Sequence, residues 1–280
     1  MKLHVINTGF FKLDGGAMFG VVPKTIWQKL NPADENNMSN WAMRCLLVQD
    51  GHKLILIDTG IGNKQDERFF SHYYLHGDDT LEKSIQKAGF SVEDITDVIH
   101  THLHFDHCGG AIRYNEDRTQ LAPAFPNATY WSNKEHWESA TKPNVRERAS
   151  FLKENILPMQ ESGKLKFIDK RSPFANIELL VVDGHTEHQM IPFIKYKNKT
   201  IVFAADLLPS VGHIPLPYIM AYDTRPLITM QEKADFLNRA ADEKLILFLE
   251  HDPVNECCTV ARTERGIRLD KTFPLSEVLV

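Results

Sequence analysis

The chain has 280 residues, 42% hydrophobic and 25% charged, the ordinary mix of a globular protein with room for one large domain or two small ones. Its formal charge of -5, with no stripe of Lys and Arg to neutralise phosphates, argues against nucleic-acid binding. No apolar run reaches the roughly 18 residues a membrane helix needs, and the start, Met1 to Gly9, has no leader-like apolar core, so no membrane attachment is expected.

The first sixty residues are predicted as strands and turns. Residues 3–9, 17–27, 42–48 and 53–58 are rich in Val, Ile, Leu and Phe, with turns at Asp14-Gly-Gly16 and Asp50-Gly51. The apolar run Leu54-Ile-Leu-Ile57 stops at Asp58-Thr-Gly60. Helical spacing covers 79–89, a short turn 92–96, and a strand 97–102. The stretch from Ala111 to Pro126 has no clear period, and Pro123 and Pro126 keep it irregular. A strand at Thr129-Tyr-Trp131, a helix from Asn133 and an amphipathic helical stretch over 144–159 follow. Strands are then predicted at 164–169, 176–183, 190–196 and 200–205. A Pro-rich loop from Leu208 to Pro217 and a helix at 227–241 lead to the strand Lys244 to Leu249. No linker cuts the chain, so residues 1–280 are expected to form a single domain of two packed halves. Elaborations are expected near 62–80 and 111–160.

The chemistry concentrates at Thr101-His-Leu-His-Phe-Asp-His107, four candidate metal ligands within six residues at the end of an apolar stretch. Imidazole and carboxylate suit a borderline-soft divalent ion, zinc by default, with iron or manganese eligible. His102 and His104, two apart, share one face of an extended segment, while Asp106 and His107 lie past the turn. A first ion would take His102 and His104 with His185, which ends the apolar run before Asp183-Gly184. A second would take Asp106 and His107, completed by Asp206 and His251, which also follow apolar runs. Asp206 is the natural bridge. Two such ions, about 3.5–4 Å apart, activate a water for hydrolysis. The four cysteines, Cys45, Cys108, Cys257 and Cys258, lack finger spacing and read as reduced thiols of a cytoplasmic protein.

His102-Leu-His104-Phe-Asp106-His107, Gly184-His185, Asp206, His251 and Asp58-Thr-Gly60 together resemble the metallo-beta-lactamase superfamily over nearly the whole chain. The resemblance implies an α/β fold, a four-layer αβ/βα sandwich of two mixed sheets with outer helices. Asp14-Gly-Gly-Ala-Met-Phe-Gly20 and the seven ligands look most like the branch with quorum-quenching N-acyl-homoserine-lactone lactonases and methyl-parathion-hydrolase-like enzymes. It implies attack by a metal-bridging hydroxide on an ester or lactone carbonyl, with Asp106 passing a proton to the leaving group. It also implies Asp58 as an orienting partner of a ligand. Two departures stand out. After His185 the chain reads Thr-Glu-His188 where relatives carry a Thr-Pro-Gly-His turn, so His188 is expected to support the loop. Pro209 stands where lactonases often present a tyrosine, and Tyr218 or Tyr222 is expected to replace it.

Leu207 to Met220 is predicted as one wall of an apolar cleft, with His213 touching a small-molecule substrate, and Met18, Phe19 and Trp27 read equally well as the other side of that cleft or as ordinary core. A homodimer is left open. Organophosphate triester hydrolysis is the alternative chemistry, and a non-catalytic metal-binding sensor the alternative class.

Overall fold

Asp14 decides how the chain leaves its first strand. In a computed structural model that describes residues 1–169 and 171–279, β1 (Lys2–Asp14) ends where Asp14 Oδ1 accepts the Ala17 N–H at 2.8 Å. That cap starts α1 (Gly15–Phe19), and Pro23, with φ fixed near its helical value, leads into α2 (Lys24–Trp27). The strand predicted over 17–27 is therefore two short helices. Gly15 belongs to this corner: a Cβ there would lie 2.4 Å from the Trp27 indole.

The chain then forms β2 (Met38–Asp50), β3 (Lys53–Ile57), α3 (Glu67–Ser71), α4 (Leu81–Lys87), β4 (Asp97–Ile99) and α5 (Phe105–Cys108). A small pair, β5 (Ile112–Tyr114) and β6 (Leu121–Pro123), precedes β7 (Thr129–Ser132), α6 (Lys134–Thr141), α7 (Lys153–Glu161) and β8 (Leu165–Phe167). Next come β9 (Ile177–Val182), β10 (Gln189–Tyr196), β11 (Lys199–Phe203), α8 (Pro226–Asp242), β12 (Ile246–Phe248), β13 (Cys257–Thr263) and β14 (Gly266–Phe273). One mixed sheet has the order β1-β2-β3-β4-β7-β8 and the other β14-β13-β12-β11-β10-β9, six strands each. The mixed α/β class with two mixed sheets is thus the one the sequence leads to expect. No helix among the described residues is long and apolar enough to cross a membrane.

Two compact units are distinguishable, one comprising Met1–Gly9 and Met43–Pro173, the other Phe10–Ala42 and the chain from Phe174 onward. In the first, Leu47, Leu56, Val98, Tyr130, Trp137 and Ile156 meet in one buried cluster. Its strands β3, β4, β7 and β8 run parallel, so their carboxyl ends lie at one edge. The helix predicted over 144–159 begins only at Lys153. Asn144 Oδ1 accepts the N–H groups of Arg146 and Glu147 (2.9 and 3.1 Å), a side-chain turn that competes with helix.

In the second unit β11 and β12 are the parallel pair. The expected helix appears as α8, with Pro226 at its first turn, where a missing N–H costs nothing. The hairpin of β13 and β14 has no counterpart among the predicted strands. Its signal is Thr263-Glu-Arg-Gly266, whose Gly266 takes φ +87.

Candidate metal centre

In the first unit β4 ends at Ile99 and delivers His102 and His104, while α5 carries Asp106 and His107; all four side chains are buried. Asp58, at the end of β3, organises this loop. Its Oδ1 accepts the Thr101 N–H at 2.8 Å, its Oδ2 accepts the Thr101 hydroxyl at 2.6 Å, and the same Oδ2 lies 3.1 Å from His107 Nδ1. Thr59 donates its N–H and hydroxyl to the His107 carbonyl, at 2.8 and 3.0 Å. Glycine makes this approach feasible, since a Cβ on Gly109 would lie 2.0 Å from the Ile61 carbonyl oxygen and one on Gly110 2.2 Å from that of Thr59.

These partners set the tautomers. Thr101 gives its proton to Asp58, so at 3.1 Å its oxygen accepts His102 Nδ1–H and leaves Nε2 as a lone pair. That Nε2 lies 3.1 Å from His104 Nδ1. Buried Glu147 has Oε1 3.6 Å from the other nitrogen of His104, too long for a full hydrogen bond but close enough to favour a proton on that side. Two imidazole lone pairs then converge on one point, a fit for a cation. Asp106 Oδ2 lies 3.8 Å from His107 Nε2. The loop is braced from the stretch after β7: His136 Nε2 accepts the Leu103 N–H at 2.8 Å and the Ser150 carbonyl accepts the Phe105 N–H at 3.0 Å. Cys108 donates to the Leu103 carbonyl at 3.3 Å, and burial pushes its thiol up to about 12, an inert packed side chain.

In the second unit three strand ends converge. His185 follows β9, Asp206 follows β11 and His251 follows β12. Asp206 faces both imidazoles, Oδ2 3.0 Å from His185 Nε2 and Oδ1 3.0 Å from His251 Nε2. His251 Nδ1 donates to the Ala42 carbonyl at 2.8 Å, and His185 Nδ1 donates to Asp223 Oδ1 at 2.9 Å. With both Nδ1 protons so committed, each Nε2 faces a carboxylate oxygen, and either a metal ion or a proton reconciles them. Burial opposes charge on His185, yet Asp206 and then Asp223 outweigh it and raise its pKa to about 10, so the pocket favours a positive charge at that nitrogen.

The remaining predicted residues fall in two groups. Met18, Phe19 and His213 are all buried in the second unit. Phe19 stacks on His213 with centroids 4.5 Å apart and on Trp27 at 5.7 Å. His213 Nε2 donates to the Met18 carbonyl and Nδ1 accepts from Ser210 Oγ, both at 2.8 Å. These three side chains pack an interior, whereas Tyr218 is half-buried and Tyr222 is exposed. His188, with φ +54, has Nδ1 3.0 Å from Asp183 Oδ1, the same oxygen that accepts its backbone N–H, so it braces its own loop. Arg225 pairs with Glu187 there.

Asp223, Glu147 and His136 are the functional neighbours that sequence reasoning does not single out. Ligating histidines need an acceptor on the far nitrogen, but nothing in the chain says that the acceptor for His185 lies 38 residues on.

Residues 44–251 match the family described as the metallo-beta-lactamase superfamily. An N-acyl homoserine lactonase of Bacillus cereus is 26% identical over 217 residues, 73% of this chain and 75% of that protein. A solved "probable metal-dependent hydrolase" from Staphylococcus aureus superposes with TM-score 0.88 at 27% identity, covering 97% of this chain and 96% of the other. A dizinc quorum-quenching lactonase, solved with a product, gives TM-score 0.79 at 24% identity over 98% and 97% of the two chains.

Proposed function

This chain belongs to the metallo-beta-lactamase superfamily of metal-dependent hydrolases, and we propose that within it the protein cleaves a carboxylic ester or a lactone. The observation that carries the hydrolytic reading is Asp206, whose two oxygens each lie 3.0 Å from an imidazole nitrogen whose ring partner is already committed as a donor. Similarity to a lactonase across 73% of the chain supports the choice of substrate class.

The ligand assignment follows the donor sets. On the sequence pattern, His102, His104 and His185 would hold one divalent ion and Asp106, His107 and His251 a second, with Asp206 available to both. Zinc is the default ion, and the carboxylates keep iron and manganese eligible. When bound, such ions polarise a carbonyl and bring the pKa of water down to about 7. The chain's own residues do the rest. Asp58, Thr101, Asp223 and the Ala42 carbonyl hold the imidazoles in the tautomers that present lone pairs. Asp106 would take the proton that the attacking water gives up and pass it to the alkoxide released as the acyl C–O bond breaks. Tyr218 or Tyr222 supplies the hydroxyl contact that Pro209 lacks.

A panel of lactones, aryl esters, a beta-lactam, a phosphodiester and an organophosphate triester, run on zinc-loaded protein, tests the reading. The expected result is highest kcat/KM on an ester or lactone, with close to two metal equivalents per chain. Higher efficiency on the triester than on every ester and lactone would overturn it in favour of organophosphate hydrolysis. Absence of both turnover and metal would favour a non-catalytic protein.

A further inference from the structure

Lys233 is a costly residue to place where it sits. It lies on α8, 1% exposed, and burial pushes its amine down to about 7. All three of its N–H donors are used on backbone carbonyls of a single segment: His213 at 2.9 Å, Pro215 at 3.2 Å and Tyr218 at 2.7 Å. That segment follows Asp206 directly and contains Pro209, Pro215 and Pro217, which have no N–H to give. It makes no sheet or long helix; N–H groups of the segment itself reach the carbonyls of Ser210, Val211, Pro215 and Pro217, and Lys233 reaches those of His213 and Tyr218. Two carboxylates hold its flanks, Asp252 accepting the Val211 N–H at 3.0 Å and Asp223 the Met220 N–H at 3.2 Å. A crevice too narrow to admit a water molecule adjoins the clamp, lined by Asp206, Pro209, Tyr218, Met220 and Lys233 among others.

From this geometry we infer that Lys233 is a positioning residue that fixes the path of residues 209–222 and thereby sets which esters or lactones fit beside Asp206. The inference rests on the reading that this segment borders the substrate. An apolar side chain would fill the same volume without burying a charge, but it would take the Lys233 donor from the His213 and Tyr218 carbonyls, leave Pro215 with the Tyr218 N–H alone, and let the segment drift. Lys233 touches no reacting atom, so its effect belongs in substrate fit and not in the chemical step.

The test compares zinc-loaded wild type with Lys233→Met, which keeps the stem and removes the ammonium. Amide hydrogen exchange over 209–222 should accelerate by about tenfold or more, as expected for a segment opened locally. KM for the preferred ester or lactone should rise by about tenfold, and the preference among acyl-chain lengths should flatten, while kcat stays within about threefold and zinc content is unchanged. Unchanged exchange would overturn the clamp. Accelerated exchange with unmoved KM and unmoved chain-length preference would overturn its role in fit. Should the wild type turn over no ester or lactone, the function reading fails, while the exchange arm still decides the clamp. A second measurement covers a variant that does not fold: amine acylation of the native wild type should leave Lys233 as the slowest-labelled lysine on the second unit. Labelling at the rate of exposed Lys195 would overturn the proposal.

Discussion

At the scale of single residues, Asp206 and Asp223 are both carboxylates on His185, yet they should fail differently. Asp206 faces two imidazole nitrogens and Asp223 only the far side of one. Asp206→Asn removes the charge that two cations would share, so turnover should collapse and the retained metal should fall below two equivalents. Asp223→Asn leaves every ligand in place and weakens only the orientation and basicity of His185. Metal affinity, read by chelator competition, should drop by about 10- to 100-fold, with far-UV circular dichroism unchanged. Wild-type affinity in Asp223→Asn would show that His185 needs no partner. His213 gives a separate, pH-dependent prediction. Burial holds its imidazole down to about 3, well under the unfolded value, so the native state stays neutral where the unfolded chain takes up a proton. Its contribution is complete above about pH 6.5 and is lost as pH falls toward 3. Relative to His213→Gln, the wild type should lose about 2 kcal/mol between pH 7 and pH 5 in urea denaturation. Parallel losses in both proteins would assign the acid sensitivity elsewhere.

At the scale of elements, the ligand-bearing strand ends were legible because an apolar run that stops at a histidine or aspartate is a local pattern. Ile99, Val182, Phe203 and Phe248 close β4, β9, β11 and β12, and the predicted ligands follow each of them. What was not legible depended on contacts distant in sequence or on side-chain turns. The stretch 17–27 has strand-like composition, but the Asp14 cap and Pro23 turn it into two helices. Residues 144–152 have helical spacing, but Asn144 holds them in a turn that lends Glu147 to His104. Met18 and Phe19 read equally well as pocket or core, and the stack with His213 and Trp27 makes them core. The turn after β4 shows how far glycine identity matters. Gly109→Ala places a methyl 2.0 Å from a backbone oxygen that cannot swing away, and overpacking against fixed backbone costs about 2 kcal/mol or more. Gly51 has φ +60 but nothing within 4 Å, so Gly51→Ala should cost only about 1 kcal/mol, from backbone strain alone. Urea midpoints of the two variants should rank in that order. Equal midpoints would mean that the Asp58-Thr-Gly60 loop yields to make room.

At the scale of the whole molecule, the proposed ligands run from His102 to His251, more than half of the chain, and no short stretch of it holds a complete set. An unfolded chain therefore cannot reproduce the cluster, and an ion that binds only the native arrangement stabilises it by mass action. At free zinc about a thousandfold above Kd, one site adds about 4 kcal/mol. For a chain of this size each kcal/mol moves the thermal midpoint by about 2–4 °C, so chelation should lower Tm by on the order of 10 °C. The shift should grow with the logarithm of free zinc, and readdition should restore it. Asp206→Asn should respond less steeply than wild type, because its second ion binds weakly. A midpoint indifferent to zinc in the wild type would place the ion outside the folded cluster. The nitrogen of His185 set against Asp206 would then carry a proton, held there by a pKa raised to about 10, so its contribution is complete below about pH 6.5 and is lost as pH rises toward 10. Stability would in that case rise on mild acidification, the opposite of what His213 alone imposes, so the sign of the pH response separates a metal-held site from a proton-held one.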